Sequence, residues 1–256
     1  MSINLSFLPA LAAVFILMFA RLGTMVMLMP GLGEQGIPAR VRLVVAVMLT
    51  LVMLPLHRAD YTVDITQNFG PLVGLLVKEV MIGGVLGLTG RLALSALQVA
   101  GATIAQQLGL GFVTSVDPTQ GQQGVLVGNF LAMMGIALIF ATDLHHLVIG
   151  ALDESYRVFQ PGTALPTGDV AQLMLTTISG AFRVGIQLAA PFLVFGILFN
   201  VGLGLLARMM PQLQVFFIGV PASILIGFLL MIIILGSLMS VFLGYIGNVL
   251  GDLSVR

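Results

Sequence analysis

Five charged side chains, Arg21, Lys78, Glu79, Arg91 and Arg183, stand inside runs of apolar residues. At the centre of a bilayer each costs roughly 2.5–3.5 kcal/mol on insertion scales, so none is expected to face lipid. Two uses are open to such groups: structural pairing or snorkelling within a helix bundle, or a charged step on a transport path. Lys78 and Glu79 are sequence neighbours, and on a helix their side chains diverge by ~100°, so each needs a partner on a different element. A second polar group, Asp143, His145 and His146, is the cluster nearest to a metal site. Asp143 and His146 share a helix face, but the remaining histidine is the distant His57 and there is no HExxH motif, so the set reads as an interfacial polar pair. There is also no P-loop, no nucleophile elbow and no glycine-rich phosphate cradle. No catalytic, cofactor-binding or metal-ligating residues are therefore assigned, and no enzymatic activity is expected.

The elements that must hold these charges are apolar helices. Hydrophobic residues make up 59% of the 256 and charged residues 8%, a composition that supports several stretches of the ~20 apolar residues needed to cross a bilayer. The N-terminal MSINLSFLPA lacks a basic region and a small-residue cleavage site, so the first span is expected to be retained. Ten basic and ten acidic residues balance, leaving no electrostatic footprint for nucleic acid. Without cysteine there are neither disulfides nor thiolate metal sites. The fold class is an all-α membrane protein of about six long, partly broken helices arranged as hairpins. The apolar runs cover about 7–32, 41–56, 71–105, 125–151, 170–208 and 213–250. An unbroken helix over 170–208 would be roughly 58 Å long against ~30 Å of hydrocarbon, so Pro191 is expected to kink it and Pro221 to kink the last run. Gly83 and Gly87, Gly124, Gly128 and Ala132, and Gly196, Asn200 and Gly204 recur at four-residue spacing and predict close helix packing. Arginines beside alternate connections place 33–40, 106–124 and 209–212 on the cytoplasmic side by the positive-inside rule.

One connection differs from an ordinary aqueous loop. Residues 106–124, QQLGLGFVTSVDPTQGQQG, carry Asp117 as their one charge, together with five glutamines and apolar Leu108, Leu110, Phe112 and Val113. The pattern fits a loop lying against protein in the mouth of a channel, and equally a re-entrant or interfacial turn.

From Asn200 the chain reads NVGLGLLARMMPQLQVFFIGVP. With Asn200, Gly204, Arg208, Pro211, Gln212, Phe217, Gly219 and Pro221 in place, this block resembles the FliR family of flagellar and injectisome export-gate subunits. Two further blocks carry the resemblance: Pro30 through Ile37, Pro38, Arg40 and Arg42, and Gln107-Leu108-Gly109-Leu110-Gly111-Phe112 through Asp117-Pro118. It extends over essentially the full length.

The resemblance implies a non-enzymatic inner-membrane subunit of the flagellar basal body. That subunit would join FliP-like and FliQ-like proteins, with an FlhB-like protein attached, in a helical, multi-subunit gate that conducts unfolded export substrates. It implies a FliP-like part over about 1–169 and a FliQ-like hairpin over about 170–256. It also implies a plug at about 106–122, including Gln106, Gln107, Leu108, Gly109, Leu110, Gly111, Phe112, Asp117 and Pro118. Arg21, Lys78, Glu79, Arg91 and Arg183 would then serve assembly. The alternative is a secondary transporter that uses the same charges for a small solute.

Overall fold

The computed structural model describes residues 8–34, 36–61, 69–110, 123–210 and 215–254. Among these residues the chain forms seven α-helices: α1 Leu8–Leu28, α2 Ala39–His57, α3 Phe69–Gln107, α4 Gln123–Ala141, α5 His145–Val158, α6 Thr167–Met209 and α7 Val215–Ser254. A short 3-10 turn, Arg58–Asp60, follows α2. Five of the helices are long and apolar enough to cross a membrane, and the bent pair α4 and α5 brings the number to six if it acts as one span.

The helix ends follow local chemistry. After α1, Pro30 cannot donate a ladder hydrogen bond and Gly31 takes a left-handed φ of 88° that a side chain would resist. The fourth apolar run does not form one helix, as its continuity suggested. It breaks at 142–144, where Asp143 adopts φ 59°, and the two parts meet at 76°. Asparagine and aspartate tolerate this conformation because their short polar side chains bond locally. Pro191 does not divide its helix: α6 continues for 43 residues, roughly 65 Å, and α7 runs 40 residues through Pro221. Each proline forfeits one ladder hydrogen bond, which the turns on either side tolerate.

The chain divides into two compact units. The first comprises described residues up to Leu92, with 143–177 and 247–254. The second comprises 93–142 and 178–246. Because lipid tails are as apolar as leucine, helices in a bilayer gain little from hydrophobicity alone and need close approach to associate. Glycines provide it in both units. In the first, α3 presses on α1: a methyl group at Gly83 would fall on the Arg21 carbonyl, and one at Gly87 would lie 2.7 Å from Leu28 Cβ. In the second, Gly101 of α3 and Gly128 of α4 meet backbone to backbone. Among the described residues, nothing lies within 4 Å of where a Gly204 side chain would stand, so its place in the small-residue ladder serves no packing between them.

Much of the apolar surface is uncovered. Ile232 and Ile233 of α7 are 73% and 78% exposed, and Leu198 of α6 is 68% exposed. Along α6, by contrast, Asp169, Gln172, Thr176, Ser179, Arg183 and Gln187 recur every three or four residues, and all are exposed.

Candidate functional site

In the first unit the chain builds a fully buried guanidinium site. Arg21 projects from the middle of α1 and is 0% exposed. Its Nε donates to Glu79 Oε2 at 2.5 Å, and Nη2 donates to Glu79 Oε1 at 3.1 Å. Nη1 donates to the Ser155 carbonyl at 3.0 Å and to Ser155 Oγ at 3.3 Å, while Nη2 also donates to the Phe159 carbonyl at 3.0 Å. Five N–H groups thus meet five acceptors, the full donor capacity of arginine. The forked pair with Glu79 joins α1 to α3, and the contacts to Ser155 and Phe159 tie both to the end of α5. Sequence distance hid these partners, which lie 58 and 134 positions from Arg21.

Around this pair lies an aromatic and imidazole layer with no motif to announce it. The Arg21 guanidinium sits 4.2 Å from the Tyr156 ring centroid, a cation–π contact, and His57 stacks on Tyr156 at 4.2 Å. His57 Nδ1 lies 2.9 Å from Asp60 Oδ2, and its Nε2 lies 2.9 Å from Asp153 Oδ1. One imidazole therefore links the end of α2 to α5. Tyr61 is buried nearby, and desolvation, reinforced by the neighbouring Tyr156 phenol and the Glu79 carboxylate, pushes its phenol far above the ordinary range. It stays neutral at any physiological pH. The one sequence signal for this layer was the i,i+3 spacing of His57 and Asp60.

The other charges part company. Lys78, which points away from Glu79 as neighbours on a helix must, donates to the Thr163 carbonyl at 3.2 Å. Arg91 and Arg183 are exposed, and neither has a side-chain partner among the described residues. The five intramembrane charges thus resolve into one buried pair, one cation tied to a backbone carbonyl, and two arginines facing outward. Asp143, His145 and His146 come closer than helix spacing allowed, with one potential ligand atom from each within 4.8 Å of the others. Asp143 stands in a left-handed conformation just before α5, so the set includes His145 as well as the helix-spaced His146.

In the second unit the site of interest is the stub that leads out of α3. Gln106 is exposed, Gln107 and Leu110 are half-buried, and Leu108 is 0% exposed. Leu108 fills a notch opposite Gly227 of α7, where a methyl group would collide with its side chain. Ser223 Oγ lies 3.0 Å from the Leu108 carbonyl and 2.9 Å from the Val220 carbonyl, its one O–H shared between them. Gly109 then takes φ 77°, ending the helix, while Gln107 lies against Gly196 of α6. Gly111, Phe112, Asp117 and Pro118 lie outside the described residues. Leu108 and Gly109 are therefore fixed to the α6 and α7 hairpin immediately before that segment leaves.

The C-terminal block closes the same hairpin. Asn200 Nδ2 donates to the Gly196 carbonyl at 2.8 Å, and Gly219 of α7 makes room for Leu203 of α6. Gly204 and Arg208 are exposed, Pro221 is exposed within α7, and Pro211 and Gln212 lie outside the described residues. This grouping packs the end of α6 against the start of α7, with Arg208 facing outward. It contains no constellation of nucleophile and base.

Residues 12–249 match the family described as bacterial export proteins, family 1. Over 211 residues the chain is 42% identical to the flagellar biosynthetic protein FliR of Caulobacter vibrioides, covering 82% of this chain and 84% of the relative. It is 33% identical to FliR of Escherichia coli over 203 residues, 79% and 76% of the two chains, and 28% identical to FliR of Bacillus subtilis over 222 residues, 86% and 85%. Matches of this extent reach from the buried Arg21 pair through the α6 and α7 hairpin, and they establish that the chain belongs to the FliR family of bacterial export proteins.

Proposed function

We propose that this multi-pass inner-membrane protein is a non-enzymatic subunit of the flagellar protein-export gate in the basal body. In this reading it packs with FliP-like and FliQ-like proteins, and with an FlhB-like protein, around a passage for unfolded polypeptides. Residues 106–122 close that passage at rest. Membership in the FliR family and the apolar helices support a membrane role in flagellar export. The partners, the plug and a division into a FliP-like part at about 1–169 and a FliQ-like hairpin at about 170–256 are the finer proposal.

The observation that carries it is the fixed root of the 106–122 segment. A plug must be held at one point and released at others. Leu108, locked under Gly227 with its carbonyl held by Ser223, supplies the fixed point, and Gly109 supplies the bend. The apolar Leu110 and Phe112 would then press against the lumen wall, and an incoming polypeptide would displace them.

Deleting 109–120 tests the plug in the assembled gate. Increased leakage of ions and small solutes is expected, and unchanged leakage in a stably assembled mutant refutes the role. Purification in mild detergent tests the gate itself. Dissimilar small membrane proteins should copurify, whereas a lone chain that binds a small solute would point to a secondary transporter.

A further inference from the structure

In the second unit, an exposed polar strip interrupts the apolar exterior. Gln98 and Gln106 of α3 are both exposed, eight residues apart on one side of the helix with the small Ala102 between them. Beside them, Gln98 Nε2 donates to Oδ1 of Asn129, an exposed residue of α4, at 3.3 Å. The crossing of Gly101 and Gly128 brings these two helices together, and Gly128 also makes room for the Gln98 amide: a methyl group there would stand 2.6 Å from Gln98 Oε1.

One bond between two primary amides leaves much capacity unused. Among the described residues, Gln98 retains a second N–H, and Asn129 retains two. Hydrocarbon offers these groups nothing, so lipid is excluded from this face. The three members of the strip, Gln98, Gln106 and Asn129, are uncharged, and the exposed Arg91, seven residues before Gln98 on nearly the same side of α3, bounds it at one end. The strip leads directly into the stub at Leu108 and Gly109, beyond which the sequence continues rich in glutamine and glycine. Uncharged amides that both donate and accept suit a surface past which a backbone of any sequence must slide, because they exchange hydrogen bonds with water and peptide groups alike and hold neither cations nor anions.

We infer that Gln98, Gln106 and Asn129 face the water-filled passage and form a neutral amide strip along which the unfolded polypeptide moves. This rests on the export-gate reading and adds the surface of the channel to it. A structural role for the pair, buried against a neighbouring subunit, is the competing outcome.

The absence of cysteine makes the test direct. Single variants Gln98→Cys, Gln106→Cys and Asn129→Cys are produced in the full chain, with Ile233→Cys on the apolar face of α7 as the reference. Each is purified in the assembled gate and treated with a charged methanethiosulfonate. Thiolate, the reactive form, is suppressed in apolar surroundings, so the strip variants should react about tenfold faster than Ile233→Cys, the equivalent of one unit of thiol pKa. Labelling should also block secretion by the strip variants and spare that by the reference.

Strip variants that react no faster than Ile233→Cys, in a gate that still secretes, overturn the inference and leave the export reading standing. A wild-type chain that assembles with no partners and restores no secretion removes the export reading itself. If Gln98→Cys fails to assemble, Asn129→Cys combined with Gln98→Ser carries the same comparison.

Discussion

Neutralising Glu79 should be among the most damaging single changes available to this chain, because it leaves the Arg21 guanidinium charged and 0% exposed. Removing one member of a buried ion pair typically costs about 3–5 kcal/mol, against about 5–15 kcal/mol for the stability of a whole domain. Glu79→Gln should therefore lower the folding equilibrium constant by roughly two to three and a half powers of ten. Arg21→Met should cost a similar amount by stranding the carboxylate. The double variant Arg21→Met, Glu79→Met removes both charges, and the other acceptors suffer little. The Ser155 carbonyl keeps the Phe159 N–H at 2.9 Å, and Ser155 Oγ keeps its own donation to the Leu152 carbonyl at 2.7 Å. Only the Phe159 carbonyl loses its donor, for about 1–3 kcal/mol. The double variant should thus be more stable than either single one, with a favourable coupling of about 3 kcal/mol or more. Thermal unfolding of the detergent-solubilised chain, followed by the loss of its monodisperse peak, measures all four corners of the cycle. A double variant at least as unstable as the sum of the two singles would refute the account of the site as one compensated charge pair.

Other expected outcomes follow from the same geometry. Gly83→Ala should destabilise by about 1–3 kcal/mol, because the added methyl group meets the Arg21 backbone, and a lowered unfolding temperature checks it. His57→Phe retains the stack on Tyr156 and loses the links to Asp60 and Asp153, both half-exposed, so it should cost about 1 kcal/mol, whereas His57→Ala should cost roughly 3 kcal/mol in the same assay. Arg183→Glu should leave the unfolding temperature of the isolated chain unchanged and reduce the yield of assembled gate. Normal yield with abolished secretion would reverse that order. Gly227→Val should dislodge Leu108 and raise leakage through the assembled gate, and unaltered leakage would separate the notch from gating.

Those apolar runs that begin and end on proline, glycine or polar clusters were legible in the sequence, because in hydrocarbon almost nothing but a helix satisfies the backbone. The break between α4 and α5 was not. Thr142 and Asp143 are an ordinary polar pair, and only the left-handed backbone at Asp143 reveals that the helix stops. Pro191, expected to kink its helix, lies inside a continuous α6. The divergence of Lys78 and Glu79 was readable from their adjacency, but their partners were not: Glu79 reaches a residue 58 positions away and Lys78 one 85 away. Tyr61, Tyr156 and Ser155 carried no signal, because an isolated polar residue shows its purpose only when the acceptors and rings around it are in place. The FliR blocks, in turn, pointed to the family without revealing that Leu108 fits the notch at Gly227.

The separation of Arg21 from its acceptors also sets a schedule for making the protein. A ribosome that adds roughly 5–20 residues per second delivers Glu79 about 3–12 s after Arg21, and Ser155 about 7–27 s after it. Throughout that interval α1 carries a cation that the bilayer resists by roughly 2.5–3.5 kcal/mol. An α1 that waited at the insertion machinery or at the membrane surface until α3 arrived to neutralise it would be spared that cost. A premature stop or a slow stretch of translation before Glu79 would leave an N-terminal fragment that marks itself as unfinished, available to membrane quality control before any gate is contaminated by an incomplete part.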